Sequence, residues 1–375
     1  LIANYLCIKM MVNSRRGFSC RLLIAMGLTK LIRFFLGHRK IRFYTTRDEL
    51  LNVLATTICM GLFYGGPFFS FWISVQILWS PLYPLFFIYL VWMHVDRNTP
   101  HTDGRRLQWV GSLWIYRRFR QYFPQTIVKT VDIPDDQNYI FCLFPHGICV
   151  TAGFTHFLTN CTDFNKLFPG IKTTFHTLNS NFLYPFLREY SLFSGLLAVS
   201  REALLHQLTK TSRGRAVVIV PGGAAEAMLS QPGTQRVILK NRKGFVKLAI
   251  ITGTPLVPMY AFGETDLYDH RTFPRDSIVF KTQEYLRKLV GIAPVAPFIN
   301  GGGFFQDRFG WLPRPRPVTT VVGKPIVVAK NISPSKEEVD AVHKAFVSEL
   351  VNLFEEHKSK YITNASSVQL SIEEL

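Results

Sequence analysis

From Leu50 to Met93 the chain carries no formally charged side chain, a run of 44 residues. A membrane-spanning helix needs about 20 apolar residues, so the run is long enough for two crossings and is foreign to a water-soluble domain. Gly65-Gly66-Pro67 interrupts it and predicts a helix end there, with Ser80-Pro81 and Pro84 as a second set of breakers. Basic residues border both sides: Arg39, Lys40, Arg42 and Arg47 before, Arg97, Arg105 and Arg106 after. The positive-inside rule then places both flanks in the cytosol. Two spans or a re-entrant hairpin satisfies that condition; a single span does not.

The rest of the chain is not a transporter. Mean hydropathy over the 375 residues is +0.14, with 48% hydrophobic residues and 32 Phe. That is rich for a soluble enzyme and lean for a multi-span carrier, so a membrane-anchored globular domain fits. The net charge of +18 calls for a polyanionic partner or an anionic surface. Nucleic acid is not the expected partner, because no nucleic-acid-binding motif occurs and much of the charge flanks the membrane stretch. Six cysteines without CxxC or zinc-type spacing read as reduced thiols in a cytosol-facing protein, and no metal is expected. Residues 1–47 hold ten Lys or Arg and no acid, which suits either a targeting peptide or a cytosolic membrane-surface segment.

Five regions follow: a basic segment at 1–49, a hairpin at 50–95, an interfacial helix and linker at 96–135, a catalytic domain at 136–357 and a polar tail at 358–375. In 105–124, Leu107, Val110, Trp114 and Phe119 fall on one helical face, which suits a membrane interface or packing on the domain. Beyond it the pattern is α/β. Strands are predicted at 139–144, 172–178, 216–220, 256–261, 318–322 and 326–328, with helices at 147–158, 201–210, 243–252 and 283–290. The alternation predicts a mixed or mostly parallel sheet flanked by helices. Ser335-x-x-Glu338 is a capping box opening a last helix, and beyond Lys360 the polar tail is expected to fray.

Two turns could carry chemistry. A buried run ends at Phe144-Pro145-His146-Gly147, which would deliver an imidazole to the open edge of a sheet. The run Val217-Val-Ile-Val ends likewise at Pro221-Gly222-Gly223-Ala-Ala-Glu226. Glu226 is either an ordinary helix-start acid or a partner of His146. Gly147, Gly222 and Gly223 could present N–H groups to an oxyanion. Residues 227–263 contain no acid, yet Arg236, Lys240, Arg242, Lys243 and Lys247 lie within twelve positions. A solvated face is one reading; the sharper one has Arg242, Lys243 and Lys247 contacting the phosphates of a coenzyme-A-type carrier. No GxSxG, P-loop or HExxH motif is present.

Taken in order, Tyr122-Phe-Pro124, Phe144-Pro-His-Gly147, Pro221-Gly-Gly-Ala-Ala-Glu226, Arg242-Lys-Gly-Phe-Val-Lys247 and Pro258-Met-Tyr-Ala-Phe-Gly-Glu264 resemble the type-2 diacylglycerol acyltransferase family. That family includes monoacylglycerol and wax alcohol acyltransferases. The family pattern at the key turn is His-Pro-His-Gly, so Phe144 replaces the first His and His146 matches the second. The resemblance implies a glycerolipid-acyltransferase-like fold and an enzyme of the endoplasmic reticulum that also reaches lipid droplets. It implies acyl-CoA as co-substrate, with no tightly bound cofactor, and diacylglycerol, monoacylglycerol or a fatty alcohol as acceptor. His146 is then the general base and Glu226 the acid that orients it. A lipid-droplet hairpin protein without catalysis is the rival reading, and a homo-oligomer is compatible with either.

Overall fold

The computed structural model describes residues 46–210, 212–304 and 310–374. The basic segment expected at 1–49 lies almost wholly outside them. A seven-stranded sheet forms the centre, in the order β1-β10-β7-β2-β5-β3-β4. Its strands are β1 (Gln125–Lys129), β2 (Tyr139–Phe144), β3 (Lys172–Thr177), β4 (Leu196–Ala198), β5 (Arg215–Ile219), β7 (Leu256–Phe262) and β10 (Val318–Val322). The five strands from β7 to β4 run parallel, while β10 pairs antiparallel with β7 and β1 parallel with β10. The sheet is therefore mixed and mostly parallel, as the alternating pattern predicts. Two small pairs lie outside it: β6 (Arg236–Ile238) with β11 (Ser371–Glu373), and β8 (Asp269–His270) with β9 (Ile299–Asn300).

All six residues of β2 are buried, because both faces of the sheet are covered. Phe141 and Leu143 enter one core, Ile140, Cys142 and Phe144 the other, as the two-residue period of a strand requires. The second core lies under α5 (Arg201–Leu208), α6 (Gly244–Thr252) and α8 (Lys336–Tyr361), whose capping box at Ser335 and Glu338 is formed. The first receives Val53 and Met60 of α1 (Arg47–Leu78) and Phe119 of α3 (Trp114–Tyr122). Of the expected interfacial face, Val110 and Phe119 are buried against the domain while Trp114 is exposed.

Three expectations are corrected. The helix end expected at Gly65-Gly66-Pro67 does not occur; α1 runs through it to Leu78, just before Ser80-Pro81, and α2 (Tyr83–Val95) follows. These glycines serve close packing instead, since a Cβ on Gly66 would sit 3.1 Å from Leu187. Residues 326–328 form no strand, only a bridge from Ile326 to Leu256. The tail does not fray. Ser371–Glu373 adds to Arg236–Ile238 as a strand, and Glu373 pairs with Arg236 and Arg275 at 2.9 and 2.7 Å.

The hairpin is moored to the domain over part of its length. Tyr64 Oη lies 2.9 Å from Cys149 Sγ, and the Ser70 hydroxyl donates to the Pro185 carbonyl at 2.6 Å. Tyr89 of α2 stacks on Phe186 at 5.2 Å and its oxygen accepts the Phe186 N–H. Buried Arg188, in α4 (Leu187–Ser194), bonds Asp96 just past α2 at 2.5 Å. Between these moorings the turn and the outer faces of both helices expose Phe68, Trp79, Leu85 and Ile88.

Candidate active site

The strands β7, β2 and β5 are parallel neighbours, so their C-terminal ends open on one edge of the sheet. In open α/β sheets that edge is where ligands bind. His146 stands two residues beyond β2, Glu264 two beyond β7, and Glu226 on the short helical turn Ala224–Ala227 that follows β5.

The structure brings His146 and Glu226 together, through the backbone and not through the ring. One Glu226 oxygen accepts the main-chain N–H of His146 at 2.7 Å and the other accepts that of Ile238 at 2.8 Å. The carboxyl therefore fixes the turn on which the imidazole is mounted. Burial raises its pKa to about 8, opposed by those two N–H donors and by the nearby Arg242 guanidinium. Nδ1 of the half-buried His146 ring lies 3.2 Å from the Gly147 carbonyl. A carbonyl oxygen only accepts, so Nδ1 carries the proton and Nε2 presents a lone pair. Burial lowers the imidazole to about 4, which keeps it neutral at physiological pH.

A second buried acid was missed from the sequence. Glu264 accepts the N–H of Thr151 at 2.7 Å, the N–H of Ala152 at 3.0 Å and the Thr151 hydroxyl at 2.8 Å. Desolvation raises it to about 7, with the three donors opposing. It caps the helical segment after the turn, which begins at Thr151 and not at the expected residue 147. The available signal was Gly263-Glu264 directly after a buried strand, the same pattern as at the other two turns.

The glycines divide in role. Gly147 has φ +59, and a Cβ there would come within 2.7 Å of Glu264 Cγ. A Cβ on Gly222 would overlap the Glu226 carboxyl, and the N–H of Gly223 is taken by the Val220 carbonyl at 3.0 Å. Gly223 is therefore not an oxyanion donor here, whereas the Gly147 N–H has no acceptor among the described residues. Phe144 points away from the site, fully buried with its ring 6.2 Å from Phe346. Burial pushes the Cys149 thiol up to about 12, so it is no thiolate nucleophile.

The expected cationic trio is split. Lys243 is bound to Asp340 at 2.6 Å, Lys247 is exposed, and Arg242 lines a cavity together with Ile238. The neighbouring Arg236 and Lys240 pair with Glu373 and Glu374 of the tail. Altogether the edge offers a neutral imidazole whose Nε2 and a main-chain N–H one residue on have no partner among the described residues, and two desolvated acids that hold the backbone between them. That arrangement can take a proton from a hydroxyl as it attacks a carbonyl carbon.

Residues 75–372 match the family described as diacylglycerol acyltransferase. The chain is 38% identical over 309 residues to 2-acylglycerol O-acyltransferase 1 of Mus musculus, covering 82% of this chain and 88% of that one. It is 43% identical over 274 residues to diacylglycerol O-acyltransferase 2 of Homo sapiens, covering 73% and 70%. To acyl-CoA wax alcohol acyltransferase 2 of Homo sapiens it is 40% identical over 285 residues, covering 76% and 85%. The crystal structure of the 1-acyl-sn-glycerophosphate acyltransferase PlsC from Thermotoga maritima aligns over 84% of this chain and 98% of that one, with 15% identity. Its TM-score of 0.39 is too low to equate the two folds.

Proposed function

The chain belongs to the diacylglycerol acyltransferase family, and we propose that it moves a fatty acyl group from acyl-CoA to the free hydroxyl of diacylglycerol, making triacylglycerol. The observation that carries this reading is a neutral His146, its Nε2 without a partner among the described residues, at the edge shared by three parallel strands. As the acceptor oxygen attacks the thioester carbonyl, its proton passes to Nε2. The new C–O bond forms, the C–S bond breaks, and the proton returns from the imidazolium to the leaving thiolate of coenzyme A. In this reading the Gly147 N–H holds the oxyanion. Glu226 and Glu264 act as positioning residues by fixing the two ends of the turn.

The membrane supplies both apolar substrates. Among the described residues α1 is the one helix long and apolar enough to cross a bilayer. The 13 residues of α2 reach only about 20 Å, short of the roughly 30 Å hydrocarbon core. A re-entrant hairpin agrees with those lengths, and on this reading it sits in the endoplasmic reticulum membrane with the catalytic domain cytosolic and access to lipid droplets. A monoacylglycerol or fatty alcohol acceptor would use the same chemistry. Purified protein given labelled oleoyl-CoA and each acceptor in turn tests the reading. Triacylglycerol as the major product is the expected result, and no transfer to any acceptor would leave the hairpin as a lipid-binding device alone.

A further inference from the structure

A cavity of about 330 Å³ is bordered by Ile238 of β6, whose main-chain N–H is bonded to the Glu226 carboxyl. Four cationic side chains line it: Arg242 from the acid-free stretch, Arg275 from the loop after β8, and Arg287 and Lys288 from α7 (Ile278–Val290). One carboxylate, Glu284, faces them, bound to Arg287 through both oxygens at 2.7 and 2.8 Å and to Lys288 at 3.3 Å. Arg275 is drawn to Glu373 of the tail strand, while the Arg242 guanidinium has no hydrogen-bonded partner among the described residues. The lining thus carries three more positive than negative charges. Like charges gather in one concavity at a cost in repulsion, which an anion of matching charge relieves.

We propose that this cavity is a phosphate-ester site. A phosphate monoester carries about −1.5 to −2 charges at neutral pH, which offsets most of the excess left once Arg275 is paired with Glu373. Its three oxygens suit the planar forks of Arg242 and Arg275 and the point charge of Lys288. The cavity is too small for a whole acyl carrier and of a size for its phosphate-bearing end. Its position sets it apart from Lys243 and Lys247, of which the first is consumed by Asp340 and neither borders the cavity. The site rests on the acyl-CoA reading only for the source of the phosphate; a phosphorylated lipid headgroup has the same chemistry.

Equilibrium binding to the full chain in detergent micelles separates the sources and needs no turnover. One arm uses radiolabelled coenzyme A, the other vesicles of phosphatidylcholine with phosphatidic acid. Arg242→Gln, Arg275→Gln and Lys288→Gln are compared with Lys281→Gln, an equal charge change on α7 outside the cavity. Loss of one charge-assisted contact should weaken binding roughly tenfold. Weakening in the coenzyme A arm supports the site with the carrier as source, and weakening confined to the vesicle arm supports it with a lipid headgroup as source. Binding in both arms indistinguishable from Lys281→Gln overturns it. Arg275 and Lys288 are exposed enough to be changed without unfolding the chain. Acyl transfer measured in parallel keeps the two questions apart. Wild-type protein that binds coenzyme A but transfers nothing sinks the enzymatic reading alone, and active protein with indifferent cavity variants sinks the phosphate site alone.

Discussion

Phe141, Leu143 and Phe144, leading into the His146 turn, are 0% exposed, whereas Phe68 and Trp79 of the hairpin are 68% and 86% exposed. Both stretches are apolar, but one is covered by the protein's own helices and the other is left exposed, a surface that suits a lipid phase. The polar groups differ in the reverse sense. At the turn, two fully desolvated carboxyls are satisfied by main-chain N–H groups. Around the hairpin the charges sit at the base, where Asp48 meets Arg118 and Asp96 meets Arg105 and Arg188. On the proposed reading, chemistry depends on bonds inside the domain, and placement on an unsatisfied apolar surface. Damage to either region should leave the other's property intact.

The largest effect is expected at the turn itself. His146→Ala removes the group with the free Nε2 and should lower the rate of acyl transfer by about 10²–10⁴. The protein should still sediment with membranes. Near-normal turnover by a folded His146→Ala protein would refute the mechanism, and loss of membrane retention would blur the contrast between the regions.

The converse experiment strips the hairpin. Changing Trp79, Leu85, Ile88 and Val91 to Ser exposes no new protein surface, since all four already face outward. Each loses roughly 1.5–3 kcal/mol of burial in lipid, so membrane partitioning should fall more than tenfold. Transfer between detergent-dispersed substrates should persist, as measured on the soluble fraction.

Next comes the support beneath the turn. Glu226→Gln keeps the shape but offers one oxygen to two N–H donors, so a loss of about 1–3 kcal/mol in stability is expected. Activity should fall less than in His146→Ala. The double variant should be little worse than His146→Ala alone, because groups acting as a unit are not additive. Thermal unfolding and kcat/KM together read this out, and fully additive rate losses would separate the two residues.

A smaller effect concerns pH. Burial holds the His146 imidazole at about 4 against an ordinary 6.5. The fold favours the neutral ring, a stabilisation present above 6.5 and lost as pH falls through about 4. No drop in kcat/KM from this group is expected between pH 7.5 and 5, and a pH–rate profile breaking near 6.5 would mean that the ring is solvated. The smallest effect is none at all. Asn160-Cys-Thr and Asn364-Ala-Ser are nominal glycosylation sequons that a cytosolic domain leaves unmodified. An endoglycosidase-sensitive mass shift at either would reverse the topology.

The sequence by itself determined the sheet class, the bounds of β2 and β10, the capped last helix, the 44-residue apolar stretch and the position of His146. These are local signals: a buried strand is an unbroken apolar run, and a turn declares itself by Pro and Gly. It missed β1, whose Gln125–Lys129 run is too short and polar to stand out, and it ended α1 at Gly65-Gly66, of which Gly66 packs against Leu187. Only the tertiary structure decided what Glu226 does, because a carboxyl's partner is set by which backbone lies opposite, not by its neighbours in the chain. It also gave Glu264 its place at the turn and drew Phe144 out of the site. The tail shows the same limit most plainly. Ser371–Glu373 looks polar and free, yet it pairs with the strand whose Ile238 N–H holds Glu226, and through Glu226 the N–H of His146. A strand at a sheet edge is made by hydrogen bonds to a distant segment, and main-chain donors and acceptors are the same in every residue but proline. No side-chain pattern announces that pairing.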